Sequence, residues 1–305
     1  MSATTPSLPP SPSGAPNVGV GILCWRNVSS LETSLQSFER NGLFGAARET
    51  RLLLAEATEA GRALAARYPL DVDATDRNLG ILGGFERLAQ GLRSDNVLLL
   101  EDDCPLVEGP DTTRAALIQA ERLLTNAEAQ VVRLRSRPWP GAGVRFQVLD
   151  KHARYHGAGA APRLRRLARP GKARRLLSAV PYRQADPWAD PLTLAQAPRR
   201  TPDSDAARAA SDHALTKAHP DLFRLASDGT LLVSAAVMPW SNQSVAVRRD
   251  FYLDHVAPMA REGFSRRRST NGFSNVERDL NRRAWRRSGW WIALPRGLFA
   301  HELCA

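Results

Sequence analysis

Three consecutive carboxylates, Glu101, Asp102 and Asp103, follow the apolar run Asn96–Leu100 (NVLLL). Like charges packed side by side repel, so an open strand end does not gather three of them without a partner. A divalent cation is such a partner, and hard ions such as Mg²⁺ or Mn²⁺ take carboxylate oxygens and leave positions for water and phosphate. Successive side chains of a strand alternate in direction. Glu101 and Asp103 therefore point one way and can share one metal–diphosphate site, while Asp102 points the other. The plainer alternative is an acidic turn that caps the next helix. A second acidic pair, Glu277 and Asp279, lies on a helical pattern with Val276, Leu280 and Ala284 on one stripe. The two acids flank opposite sides of that stripe, so only one faces a cleft, and periodicity does not choose between them. Arg26, just past the first strand, is placed to meet a phosphate or bulk solvent.

The elements that must hold these residues read as alternating strands and helices. Val18–Trp25 is a buried first strand. Ser29 with Glu32 fits a capping box before a helix that Gly42 ends. Strands at 50–55, 70–74, 96–100 and 130–134 alternate with helices at 59–68, 82–92 and 112–124. Strands that are apolar throughout imply a mostly parallel sheet covered on both faces. Ligands of such sheets bind beyond the carboxyl ends of the strands, which is where Trp25, Arg26, Glu56 and the 101–103 acids fall. Beyond Ser136 the pattern loosens. Order returns with strands at 231–238 and 245–252 (the latter leading into a helix), a helix at 275–287 and a last strand at 290–294.

The chain of 305 residues is long enough for one large α/β domain and has no apolar run of membrane-spanning length. Residues 1–17 read as a disordered tail. Residues 18–135 form a first part and 136–305 a second part of the same domain, with mobile insertions near 160–212. The net charge of +11 is uneven. Residues 1–135 carry 13 Arg against 17 acids, a net of −4, whereas 136–305 carry 29 basic and 14 acidic residues, a net of +15. The run 162–175 (PRLRRLARPGKARR) has seven basic residues and no acid. Its basic side chains lack the interleaved aromatics of a nucleic-acid surface, so no nucleic-acid partner is expected. Three cysteines are too few for a disulfide framework or a zinc site. A cytoplasmic location is expected, with peripheral contact to an anionic membrane left open.

The acidic segment 101–103 after an apolar strand resembles the metal motif of GT-A glycosyltransferases, in the style of family 2. Other pieces match in order. Val18–Trp25 resembles the strand that opens onto the nucleotide, and Glu56 the acid near the nucleobase. Asn78-Leu79-Gly80 resembles the Asn-x-Gly turn before the metal strand, and Trp240-Ser241-Asn242 a sugar- or acceptor-facing loop. Val276–Leu280 resembles the acidic helix start that carries a base. Gly297–His301 resembles the segment that brings a His to the metal. Residues 18–135 match continuously, about 230–302 in patches, and 140–228 match nothing. Two departures stand out: the first acid of the motif is Glu rather than Asp, and Arg278 separates Glu277 from Asp279.

The resemblance implies an α/β fold of GT-A type, a Rossmann-like mostly parallel sheet flanked by helices with an irregular acceptor-binding C-terminal half. It implies a hexosyltransferase-like enzyme that moves a sugar from a nucleotide-diphosphate donor to a glycan, lipid or protein acceptor with inversion. Mn²⁺ or Mg²⁺ would be held by Asp103, then His301, with Glu101 binding it through water or else holding the ribose. Trp25, Arg26, Glu56, Asn78, Gly80, Glu101, Asp102, Trp240 and Asn242 would face the nucleotide sugar, and Glu277, or else Asp279, would be the base. The rivals are a nucleotidyltransferase of similar fold, whose usual Gly-rich basic loop is missing after Trp25, and a non-catalytic sugar-nucleotide-binding protein.

Overall fold

β1 (Val18–Trp25) is buried along its length except at Trp25, as a central strand covered on both faces must be. It pairs in parallel with β2 (Glu49–Ala55) on one side and with β4 (Asn96–Glu101) on the other, while β3 (Asp71–Thr75) pairs in parallel with β2. The computed structural model describes residues 14–137, 149, 153, 204–264, 269, 272–274, 276–281 and 283–300. The run 162–175, the insertion before residue 204 and His301 lie outside the described residues.

The remaining strands extend the same sheet. They are β5 (Val131–Arg133), β6 (Phe223–Leu225), β7 (Leu231–Ser234), β8 (Val245–Arg248) and β9 (Trp291–Leu294). The nine strands run in the order β3-β2-β1-β4-β8-β5-β9-β7-β6. β8 and β7 are antiparallel to both of their neighbours and the other strands share one direction, so the sheet is mixed but mostly co-directional.

Helices cover both faces and split the core. On one side, α1 (Val28–Arg40), α2 (Leu43–Ala46), α3 (Glu59–Ala65) and α5 (Pro110–Thr125) pack Leu31, Leu35, Phe38, Leu117 and Leu123 against β1 and β4. On the other, α4 (Gly80–Gly91) lays Phe85 and Leu88 on Leu53 and Leu99. Behind it come α7 (Arg249–Phe251), a π-helical turn (Tyr252–Val256) and α8 (Ala257–Gly263). α6 (Asp205–Ala218) is held by a buried pair in which both arms of the Arg137 guanidinium donate to the Asp212 carboxylate, at 2.8 and 2.6 Å.

Three local readings change. α1 starts at Val28, with Asn27 as the cap whose Oδ1 accepts from the Ser30 N–H at 3.4 Å, so Ser29 lies inside the helix. The strand at 231 stops at Ser234, where the chain turns so that Val237 and Met238 donate their N–H groups back to the Ser234 carbonyl. The helix expected over 275–287 is two short ones, α9 (Val276–Leu280) and α10 (Arg283–Arg287). The break between them exposes Ala284 and turns Trp285 inward to 1% exposure, where it packs edge-on against Trp240 and Trp290. A continuous stripe through Ala284 would have left that indole outside the core. Among the described residues no helix is long and apolar enough to cross a membrane.

Candidate active site at the strand ends

The chain leaves β1 for β2 and β3 on one side, then returns to β4 on the other. That reversal opens a crevice beyond the carboxyl ends of β1 and β4, the place where open α/β sheets bind ligands. Trp25 and Arg26 stand at the end of β1, and Glu101–Asp103 at the end of β4.

On the β2 side, Glu56 accepts the Trp25 indole N–H at 2.9 Å and lies 2.6 Å from the Arg26 Nε. The Trp25 N–H, then the Arg26 charge and the backbone N–H of Asn78, hold the Glu56 carboxyl below the usual carboxylate range. Arg26 and Glu56 both adopt left-handed backbone, with φ of 61° and 53°. Non-glycine residues pay for that conformation, and such outliers cluster at functional sites. Asn78 Oδ1 accepts the Gly80 N–H at 2.7 Å, closing the turn into α4. Trp25, 43% exposed, and Glu56 open with Arg77, Asn78, Leu79 and Phe273 onto a cleft of about 730 Å³. A drug-sized ligand needs about 300–1,000 Å³.

On the β4 side the acids diverge. The Asp102 carboxylate turns to β1, where it takes the Cys24 S–H and the backbone N–H of Trp25. Its carbonyl accepts the Ser34 hydroxyl at 2.7 Å. Burial, with Asp103 adding, pushes the Asp102 carboxyl up to about 6. Glu101 goes well above the carboxylate range, through burial first and then the charges of Asp103, Glu277 and Asp102. The α9 acid Glu277 is thus brought to the 101–103 group from the far end of the chain. Its Oε1 accepts the Ser241 hydroxyl and the Asn242 N–H, each at 3.0 Å.

Other expected site residues sit elsewhere. Asp279 is 1% exposed, its carboxylate takes the Ser274 hydroxyl at 2.9 Å, and its backbone carbonyl packs against Gly263 of α8. Trp240, 2% exposed, is sealed between Tyr252 and Trp285 with its N–H on Asn242 Oδ1 at 3.0 Å. Neither Trp240 nor Asn242, 4% exposed, offers its side chain to a sugar. Together they order the loop that grips Glu277. The segment before His301 lies beside the β4 acids: Ala300 donates its N–H to the Pro105 carbonyl at 2.9 Å, and Val107 to Leu298 at 2.9 Å.

Arg135 was missed from the sequence. Its Nη1 donates to Gln243 Oε1, and its cation lies close enough to Cys104, Glu277 and Asp103 for each to act on it, while burial pushes its pKa below the arginine value. The signal was the period-two series Arg133, Arg135, Arg137 running out of β5, which a strand aims to one side.

Glu101 and Asp103 are all-oxygen donors crowded by like charge, a set that fits a hard divalent ion. Among the described residues, no three His, Cys, Asp or Glu side chains converge as a ready-made metal site.

The fold and site define a mixed α/β protein with a cluster of carboxylates, Glu101–Asp103 and Glu277, at its sheet's switch point. No family model and no curated protein matches the sequence. Solved structures are similar to parts of the chain. The mannosyltransferase PcManGT from Pyrobaculum calidifontis, in complex with GDP-Man and Mn²⁺, is 16% identical over 47% of this chain and 42% of its own, with a TM-score of 0.35. TarS 1–349 from S. aureus is 13% identical over 39% of this chain and 35% of its own, with a TM-score of 0.33. Its complex with UDP-GlcNAc gives the same identity and TM-score over 34% of that chain. The chain thus spans less than half the length of these structures.

Proposed function

We propose that the chain is a glycosyltransferase of GT-A type that moves a sugar from a nucleotide-diphosphate donor to an acceptor hydroxyl, with inversion. The observation that carries this reading is the meeting of Glu277 with Glu101 and Asp103 beyond β4, beside an open cleft floored by Trp25 and Glu56. A base, an acidic pair that calls for a cation, and a cleft with an aromatic wall are what sugar transfer from a diphosphate needs.

The nucleobase stacks on the Trp25 indole, with the ionised Glu56 as acceptor for its N–H edge. Asp103, Glu101 and, beyond Ala300, His301 would hold Mn²⁺ or Mg²⁺. Such an ion offsets the charge of a departing diphosphate. Glu277 is the base: Ser241 and Asn242 occupy its Oε1, which leaves Oε2 to take the acceptor proton. The acceptor is a glycan, lipid or protein.

The test is a thermal-shift panel of UDP, GDP, ADP, CDP and dTDP, with and without Mn²⁺. One nucleotide should raise the melting temperature in a Mn²⁺-dependent way, by the linkage that stabilises any liganded state. Asp103→Ala should abolish that shift. Glu277→Gln should keep it and lose turnover of the matching nucleotide sugar, and the wild-type product should show inverted anomeric configuration by NMR. No shift with any nucleotide would overturn the reading. Release of pyrophosphate would point instead to nucleotidyl transfer.

A further inference from the structure

We propose that Arg135 is the positioning residue of the base, acting on Glu277 through its charge and through Gln243; this rests on the reading of Glu277 as base. Arg135 leaves β5 on backbone that is locked from behind. Leu298 and Phe299 both donate to the Leu134 carbonyl, at 2.6 and 3.0 Å, and Ser136 donates to the Phe299 carbonyl at 2.7 Å. Gly297, at φ 82°, packs so tightly that a Cβ there would sit 2.1 Å from the Arg135 carbonyl oxygen.

From that fixed base the guanidinium reaches the loop that holds Glu277. Nη1 donates to Gln243 Oε1, the Gln243 N–H donates to Ser241 Oγ at 3.4 Å, and the Ser241 hydroxyl donates to Glu277 Oε1 at 3.0 Å. The loop's far end is tied to the same strand, because Leu134 donates its N–H to the Ser244 carbonyl at 2.8 Å. Arg135 thus braces the loop at its middle while β5 holds its end.

Charge gives the second half of the argument. Glu101, Asp102, Asp103 and Glu277 crowd this end of the sheet, and Arg135 is the cation on which Glu277 and Asp103 both act. A fixed cation beside crowded carboxylates offsets their mutual repulsion and helps to hold Glu277 in place. Arginine suits the post because its planar fork bonds Gln243 with one arm while its delocalised charge faces the acids. Its neighbours in the period-two series are engaged elsewhere: Arg137 with Asp212, and Arg133 toward Met238. The buried Nε of Arg135 has no hydrogen-bond partner among the described residues, so a direct grip on the donor's diphosphate is the competing outcome.

The experiment is steady-state kinetics of full-length Arg135→Gln, Arg135→Lys, Gln243→Ala and Glu277→Gln with Mn²⁺ and the sugar donor of the nucleotide that shifts the wild type. Arg135→Gln should lower kcat by about tenfold or more, within the range that base catalysis supplies. Nucleoside diphosphate Kd and donor KM should stay within about twofold, and Arg135→Lys should recover part of kcat because it restores the charge. Combined with Glu277→Gln, Arg135→Gln should cost nothing further, since both changes act through one group. If Arg135→Gln does not fold, Arg135→Lys and Gln243→Ala carry the test, each with a smaller kcat loss at unchanged Kd. Normal kcat in those variants, additive losses, or a weakened Kd at normal kcat would overturn the proposal. Normal turnover by Glu277→Gln would sink the reading of Glu277 itself, whereas a dead Glu277→Gln beside normal Arg135 variants sinks Arg135 alone.

Discussion

The indole N–H of Trp25 donates to the Glu56 carboxylate at 2.9 Å, bridging the ends of two adjacent parallel strands. The bond holds the indole upright beside the cleft instead of letting it fold onto the sheet. It also keeps Glu56 ionised. A base stacked on an aromatic ring contributes about 1–3 kcal/mol, which is about five- to 150-fold in affinity. Trp25→Ala should therefore weaken nucleoside diphosphate binding by at least about fivefold, and Glu56→Gln should weaken it too by loosening the indole and changing the edge offered to the base. Both residues are open to solvent, so melting temperatures should hardly move. Calorimetric titration checks the affinity, and unchanged binding in both variants would remove the nucleotide from this cleft.

Gly80 supports the same cleft from below. Its φ is 66°, and a Cβ there would lie 2.7 Å from the Phe273 side chain. Gly80→Ala meets both left-handed backbone strain and a steric clash, together about 1–3 kcal/mol. A loss of that size lowers the melting temperature by several degrees in a domain this large. Phe273 must also move, so nucleotide affinity should fall with stability. Gly229→Ala is the control: its φ is 82°, but nothing lies within 4 Å of an added Cβ. It should show the backbone strain without the loss of affinity.

Much of this was legible in the sequence, for a physical reason. β1, β2 and β4 are buried strands whose apolar runs have no other stable reading, and the acids after β4 follow from where that strand ends. What the sequence hid depends on contacts between distant segments. Trp240 belongs to a stretch that resembles a sugar- or acceptor-facing loop; Tyr252 and Trp285, which bury it, lie 12 and 45 residues away. The partners of Glu277 and Asp279, Ser241 and Ser274, come from different loops and leave no trace in the helical periodicity. Arg135 carries no local signature beyond its alternation with Arg133 and Arg137, because its role depends on where Gln243 and Glu277 come to rest.

The pair Arg137–Asp212 makes a sharp stability test. Both residues are buried, at 8% and 6% exposure, and Arg137 also donates to the Leu294 carbonyl at 3.0 Å. Removing one partner leaves a buried charge uncompensated, which costs about 3–5 kcal/mol. Arg137→Ala should lower the denaturation midpoint accordingly and raise amide exchange along α6. Arg296→Ala, which breaks half-exposed contacts with Glu108 and with Asp205 at the start of α6, should cost less than about 1 kcal/mol. Equal losses from the two would mean that α6 is not held by the buried pair.

Asp102 gives a pH dependence whose sign is fixed by its surroundings. Burial first, then the Asp103 charge, lifts its carboxyl to about 6 in the folded chain. In the unfolded chain it lies at about 3.9. Between about pH 4 and pH 6 the folded state then holds more protons than the unfolded one, so stability falls as pH rises through that window. Glu101 is raised as well, and its contribution has the same sign. Asp228 works the other way: Gln119 and Thr230 bonds and the Arg122 charge bring it to about 2 against the pull of burial, so its contribution is lost only below about pH 4. Without metal, stability should peak near about pH 4 and decline toward neutrality, by about 3 kcal/mol from Asp102. Asp102→Asn keeps the shape and can still accept from the Trp25 N–H, but it carries no charge to desolvate. The variant should match the wild type near pH 4 and exceed it near pH 7. Mn²⁺ should narrow that gap, because a cation beside Asp103 relieves the same repulsion. Urea denaturation from pH 4 to 8 measures it, and parallel curves for the two proteins would show that Asp102 reaches neutral pH already ionised at no cost.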